Sequence, residues 1–163
     1  MINGCLSEDI HPMPANPYAL AKDTLRKLVQ EMNKKYGFSF KWVRLFYMYG
    51  PGQNPSSIIP LLEKAIDKGE PEFNMSGGEQ LRDYLFVKDV AENIISIAGQ
   101  TEINGILNCC SGKPISVRKL VEEHIAGKRS SIKLNLGHYP YPDYEPMAFW
   151  GDPSRLLTLY RPR

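Results

Sequence analysis

Asn16-Pro-Tyr-Ala-Leu-Ala-Lys22 opens a stretch that reaches Gly37 and passes straight into Phe38-Ser-Phe-Lys-Trp-Val-Arg-Leu-Phe46. Asn is a favourable helix N-cap, and Pro has no N–H to lose at the first helical position. Ala21, Leu25, Leu28, Val29 and Met32 recur at helical spacing and Gly37 supplies a stop, so the pattern predicts a helix to about Tyr36 with that face inward. The following segment alternates and then turns continuously apolar, as a strand entering a covered sheet does. It ends in a Gly/Pro loop, Tyr49-Gly-Pro-Gly-Gln-Asn-Pro55.

The same alternation continues outward. A second helix is expected from about Ser57 to Lys68, with Ile58, Leu61, Leu62, Ala65 and Ile66 on one face. Glu72-Phe-Asn-Met75 reads as a short strand, Gly77-Gly78 as a turn, and Arg82-Asp-Tyr-Leu-Phe-Val87 as strand or extended chain. A helix follows from about Lys88 to Ala98 with Val90, Ala91, Ile94 and Ile95 inward, then a strand, Gly105-Ile-Leu-Asn-Cys-Cys110. Ser116 caps a helix through about Ile125, and Ile132-Lys-Leu-Asn-Leu136 alternates like an edge strand. Tyr139-Pro-Tyr-Pro-Asp-Tyr-Glu-Pro146 holds too much proline for a central strand, and Asp152-Pro153 starts a last short helix. Strands alternating with helices indicate an α/β or mixed α+β fold.

Composition narrows the functional classes. The 163 residues carry 20 Lys+Arg against 18 Asp+Glu, a net +2, with no block of basic residues. That balance gives no electrostatic footprint for nucleic acid or for an anionic membrane. No apolar run approaches the roughly 18 residues of a membrane span. Cys5, Cys109 and Cys110 form no C-x-x-C pair, and no histidine stands at zinc-ligand spacing, so neither a disulfide framework nor a metal site is expected. Cys109 and Cys110 read as small core residues, while His11, His124 and His138 share no constellation. Met1 to Ile10 lacks the basic start and apolar core of a signal peptide, which points to a cytoplasmic setting. At roughly 28 residues per βα unit the chain holds six units at most. A complete dinucleotide domain would use all of it.

Tyr18 and Lys22 stand four apart, on one helix face about a turn from each other. A tyrosine ordinarily titrates near pH 10, but a nearby ammonium and the positive end of a helix both favour the phenolate. Such a pair suits proton transfer to or from a sugar hydroxyl while hydride moves at the carbon.

Four segments then occur in one order: Asn16 to Lys22; Arg44-Leu-Phe-Tyr-Met-Tyr-Gly-Pro-Gly-Gln53; Gly77-Gly-Glu-Gln-Leu-Arg-Asp-Tyr-Leu-Phe-Val-Lys-Asp-Val-Ala91; and Asn108-Cys-Cys-Ser-Gly-Lys-Pro-Ile-Ser-Val117. That order resembles the extended short-chain dehydrogenase/reductase family, the NAD(P)-dependent nucleotide-sugar epimerases, dehydratases and 4-ketosugar reductases. The resemblance implies that Tyr18 is the catalytic acid/base and that Lys22 holds the nicotinamide ribose and favours the phenolate. It places Phe46 and Tyr47 where the chain passes nicotinamide and substrate, and gives Arg82 to the substrate diphosphate, for which its fork of donors is suited. The implied cofactor is NAD or NADP and the implied partner a nucleoside diphosphate-sugar.

Three departures from that pattern stand out. Tyr47 occupies a position where the family commonly carries Asn. Tyr141-Pro-Asp-Tyr144 replaces the usual Arg-Pro-Gly-Asp, so a second arginine contact is missing. No Gly-x-Gly-x-x-Gly or Gly-x-x-Gly-x-x-Gly is found among the 13 glycines, although such glycines let a backbone approach a pyrophosphate. The expectation is therefore the carboxy-terminal portion of such an enzyme, inactive alone. Its fold would be the second half of a Rossmann-like doubly wound sheet plus a small α+β substrate-binding domain. Residues 1–55 would be the remnant of the dinucleotide domain with the Tyr/Lys helix. Residues 56–163 would be mainly substrate domain, with 105–125 returning to the Rossmann-like sheet. Half a sheet leaves a free strand edge and an uncovered helix face, which predicts a homodimer or self-association. The alternatives are a non-catalytic nucleotide-sugar binding or assembly module, or a decayed reading frame.

Overall fold

The computed structural model describes residues 3–143 and 145–160. In chain order the elements begin with β1 (Gly4–Leu6), α1 (Pro17–Tyr36), β2 (Lys41–Leu45), β3 (Tyr47–Tyr49) and α2 (Ile58–Asp67). There follow β4 (Glu72–Asn74), β5 (Leu81–Arg82), β6 (Tyr84–Phe86), α3 (Val87–Gly99) and β7 (Gly105–Cys109). The last are β8 (Ile115–Ser116), α4 (Val117–Lys128), β9 (Lys133–Asn135), β10 (Phe149–Gly151) and α5 (Ser154–Leu157), with a closing 3₁₀ turn at Thr158–Tyr160. Caps set the helix ends as the residue types require. Asn16 Oδ1 accepts from Ala19 N at 2.8 Å, Gly37 takes φ 71° and donates to Asn33 O, and Ser116 Oγ accepts from Lys119 N at 3.1 Å.

Strand pairing is mostly parallel. β2 lies beside β7, β3 beside β6, β4 beside β9 and β1 beside β10, while β5 and β8 are antiparallel. Parallel partners need crossovers, and α3, which connects β6 (paired with β3) to β7 (paired with β2), packs against all four of these strands. Between β2 and β3 only Phe46 intervenes, and there the chain leaves β7 for β6. The strand expected over 38–46 is thus shorter, Lys41–Leu45, and β3 follows it at once because the chain changes partner at Phe46. The other edge of β2 finds no strand partner among the described residues.

Two apolar cores hold these pairs. Leu62, Ala65, Met75, Val121 and Ile132 pack α2 and α4 on β4 and β9, whereas Ile97, Leu107 and Leu156 join α3, β7 and α5. Cys109 and Cys110 are buried free thiols, as small core residues. Burial pushes both thiols' pKa values up.

Two helices turn differently from their periodicity. On α1 the expected inward residues Leu25, Leu28 and Met32 are exposed, and the buried side chains are Asp23 and Arg26. Asp23 Oδ1 accepts from Arg26 Nε at 2.9 Å, Asp23 Oδ2 pairs with Lys27 at 2.8 Å, and Arg26 also donates to Gln30. The hydrogen bond from Lys27, then that from Arg26, holds the Asp23 carboxyl below its ordinary range. On α3 the buried residues are Val90 and Ile97, while Ala91, Ile94 and Ile95 face out, since Ile97 is the residue that reaches Leu107.

Candidate active site

The first turn of α1 presents Tyr18 to solvent, 73% exposed, with Lys22 one turn on and its Nζ 5.8 Å from the Tyr18 ring centroid. The helical spacing therefore brings these two together, and Asn16 fixes the turn that carries them.

The other candidates converge elsewhere, on Phe149 of β10. Phe46 and Tyr47 lie 6.4 and 6.0 Å from its ring, and the Arg82 guanidinium carbon lies 4.7 Å from it and 5.9 Å from the Tyr47 ring. Tyr47 also stacks at a tilt on Tyr84, 5.4 Å between centroids. A guanidinium spread over aromatic faces is favourably placed once desolvated, and Arg82 is only 2% exposed. Neither Tyr18 nor Lys22 lines the cleft formed here.

That cleft has a volume of about 290 Å³ and is lined by Tyr47, Met48, Gln53, Gln80, Arg82, Tyr84 and Glu145 together with Ser57 and Ile58 of the α2 start and Val117. Burial, followed by the nearby Tyr47, pushes the Tyr84 phenol up to about 12, so it stays a neutral donor at ordinary pH. Arg82 finds its ionic partner in Glu145, whose Oε2 lies 3.1 Å from Nη2. Tyr141 does not reach the arginine. Its hydroxyl accepts from Glu79 N at 3.1 Å, and the ring covers Gly77, where a Cβ would stand 2.5 Å from the phenol oxygen. Tyr144 lies outside the described residues.

Sequence reasoning missed the residue that assembles this corner. Asp83, fully buried, receives Ser111 N and Oγ, Gly112 N and Gly151 N. One carboxylate thereby ties the β5–β6 junction to the turn after β7 and to β10. Its backbone carbonyl also accepts from Tyr47 N at 3.1 Å. No local signal marks it, because the donors it gathers lie 28, 29 and 68 residues away along the chain.

For a dinucleotide the fit is partial. The four longer helices are entered through Asn16, Ser57, Phe86 and Ser116, none a glycine, so no glycine cradle for a pyrophosphate stands at a helix amino terminus among the described residues. Among those residues there is also no cluster of three or more His, Cys, Asp or Glu that could hold a metal, and no helix long and apolar enough to cross a membrane.

Parallel strand pairs joined through helices, with a stacked arginine in a cleft beside them, define a Rossmann-like α/β protein in part of its extent. Residues 4–110 match the model of the NAD dependent epimerase/dehydratase family. Over 143 residues the chain is 36% identical to a dTDP-6-deoxy-L-talose 4-dehydrogenase (NAD(+)) of Aggregatibacter actinomycetemcomitans, covering 85% of this chain and 51% of that one. A UDP-N-acetylglucosamine 4-epimerase from Methanobrevibacter ruminantium, solved with UDP-N-acetylmuramic acid, superposes with a TM-score of 0.85 at 27% identity, over 96% of this chain and 51% of that one. A UDP-glucuronic acid 4-epimerase from Bacillus cereus, solved with UDP-glucuronic acid and NAD, gives 0.81 at 26% identity, over 99% and 52%. The chain belongs to the NAD dependent epimerase/dehydratase family, and it spans about half the length of the relatives it matches.

Proposed function

We propose that this chain is the carboxy-terminal part of an NAD(P)-dependent epimerase, dehydratase or reductase acting on a nucleoside diphosphate-sugar. The observation that carries the reading is the convergence of Tyr47 and Arg82, from distant segments, on one aromatic-lined cleft, in a family whose relatives are solved with UDP-sugars. Arg82 would take the diphosphate through its fork of donors, with Tyr47 and the neutral Tyr84 phenol donating beside it. Tyr18 would move a proton at the sugar hydroxyl, and Lys22 would hold the nicotinamide ribose and favour the phenolate. When bound, the nicotinamide supplies the hydride chemistry; the residues for its pyrophosphate are not among those described.

The exposed stripe of α1 supports self-association as well, since Ala21, Leu25, Leu28 and Met32 stand at helical spacing on one face and are exposed. The experiment that tests the functional reading is a pair of titrations on this chain. Calorimetry is expected to show no micromolar binding of NAD(H) or NADP(H), and thermal shift to show stabilisation by UDP- or dTDP-sugars. Tight dinucleotide binding would sink the first expectation, and the absence of any nucleotide-sugar stabilisation the second.

A further inference from the structure

Arg82 already holds an anion. Its Nη1 donates to Leu81 O at 2.9 Å and Met147 O at 3.4 Å, while Nη2 donates to Glu145 Oε2 at 3.1 Å. The backbone bonds and the Phe149 face, 4.7 Å away, fix where the guanidinium sits. Of its partners only the Glu145 carboxylate is on a side chain that can rotate away, and that side chain is 36% exposed against 2% for the arginine. Gln80 Nε2 donates to the same Oε2 at 3.3 Å. Arg82 and Glu145 are the two charged residues of the cleft lining, so the cleft as it stands is formally neutral.

We propose that Glu145 is a built-in competitor for the Arg82 guanidinium, a carboxylate that an incoming nucleoside diphosphate must displace and that thereby sets the cleft's affinity for diphosphates. The inference rests on the cleft reading given above. A phosphate and a carboxylate within hydrogen-bond reach of one guanidinium would stand a few ångströms apart with like charge, which is strongly unfavourable in a partly desolvated site. One must leave. With Glu145 turned out, the arginine fork can take phosphate oxygens and the Gln80 amide is free to donate to them. The exchange costs the original ion pair, so a ligand without phosphates gains nothing from it. Glu145 in this role discriminates by charge: it lowers the affinity for every diphosphate and leaves an uncharged nucleoside unaffected.

The test is calorimetry with UDP, and with uridine as the uncharged control, on the wild-type chain, Glu145→Gln and the double variant Arg82→Gln/Glu145→Gln. Glu145→Gln keeps an acceptor for Gln80 and Arg82 but removes the charge. It is expected to bind UDP at least tenfold more tightly than wild type, with uridine unchanged. Equal or weaker UDP binding by Glu145→Gln overturns the proposal and leaves the cleft reading standing. If the double variant binds UDP as well as Glu145→Gln, Arg82 takes no diphosphate and the cleft reading falls with the proposal. If neither wild type nor Glu145→Gln binds UDP, both fall. Should Glu145→Gln not fold, Glu145→Ala is measured in its place: it removes the same charge, is expected to tighten UDP binding in the same direction with uridine unchanged, and equal or weaker UDP binding overturns the proposal.

Discussion

Asp83 holds Ser111 twice, through the backbone N–H at 2.8 Å and the hydroxyl at 2.7 Å, both on Oδ1, across 28 residues of chain. Its other oxygen takes Gly112 N at 2.9 Å and Gly151 N at 3.2 Å. A buried acceptor satisfying four donors from two distant segments cannot be removed without stranding them, and each buried unsatisfied donor costs about 1–3 kcal/mol. Asp83→Ala should therefore lower unfolding stability by several kcal/mol. Asp83→Asn keeps the shape but turns one acceptor into an NH₂ that must face an N–H, so it too should destabilise, by about 2 kcal/mol or more. Urea unfolding of the three proteins measures this, and a loss under about 0.5 kcal/mol for Asp83→Asn would show that the carboxylate is not the tie described.

The Tyr84 phenol gives a signature at high pH. Its folded pKa is raised to about 12, chiefly by burial, with Tyr47 adding and Arg82 opposing, whereas in the unfolded chain it titrates near 10. The folded state holds this proton more tightly, so the contribution is fully present below about pH 10 and fades as pH rises toward 12. The buried Cys109 and Cys110 thiols act in the same direction from lower pH. Tyr84→Phe leaves the thiols in place, so the difference between variant and wild type isolates the phenol. Stability curves should diverge above pH 10 by on the order of 2 kcal/mol, with the variant flatter. Parallel curves would refute the buried-phenol assignment.

Much of this architecture was legible before any coordinates. The Asn16, Gly37 and Ser116 caps, the helices they bound and the β7 strand lie where local chemistry put them. Periodicity named the apolar stripe of α1 correctly as a stripe but not what faces it, because a pattern reports which side favours burial and says nothing of what is there to cover it. In this chain the covered side is the ionic one, Asp23 with Arg26. β1, β8 and β10 escaped because two or three residues carry no period. Tyr47 and Arg82 were found by motif, whereas Glu145 and Phe149 were not, since their meeting with Arg82 depends on a pairing across more than sixty residues that no local rule encodes.

The same α1 stripe makes a quantitative prediction. Leu28 is 57% exposed in the middle of it, and an apolar strip left in water drives association by roughly 25 cal/mol for each Å² it buries. Sedimentation of the purified chain should show a weight-average mass that rises with concentration. Leu28→Glu, which places a charge on the strip without touching the Asp23–Arg26 pair, should shift that rise to at least tenfold higher concentration. A chain that stays monomeric at all concentrations, or a variant that associates as wild type does, would remove α1 as the surface responsible.

Tyr18 and Lys22 are separable by kinetics once a dinucleotide cradle is supplied. A chimera in which this chain follows the amino-terminal half of the related dTDP-6-deoxy-L-talose 4-dehydrogenase (NAD(+)) provides one. Tyr18→Phe removes only the hydroxyl, so the proton at the sugar oxygen loses its carrier while binding contacts persist. Turnover should drop by about 10²–10⁴ with KM for the nucleotide-sugar little changed. Lys22→Met removes the ammonium 5.8 Å from the Tyr18 ring, so it should raise KM for the dinucleotide at least tenfold while the nucleotide-sugar KM stays near its parent value. A Tyr18→Phe chimera within a few-fold of its parent would take the acid/base role away from Tyr18. A Lys22→Met chimera with an unchanged KM for the dinucleotide would take the ribose contact away from Lys22.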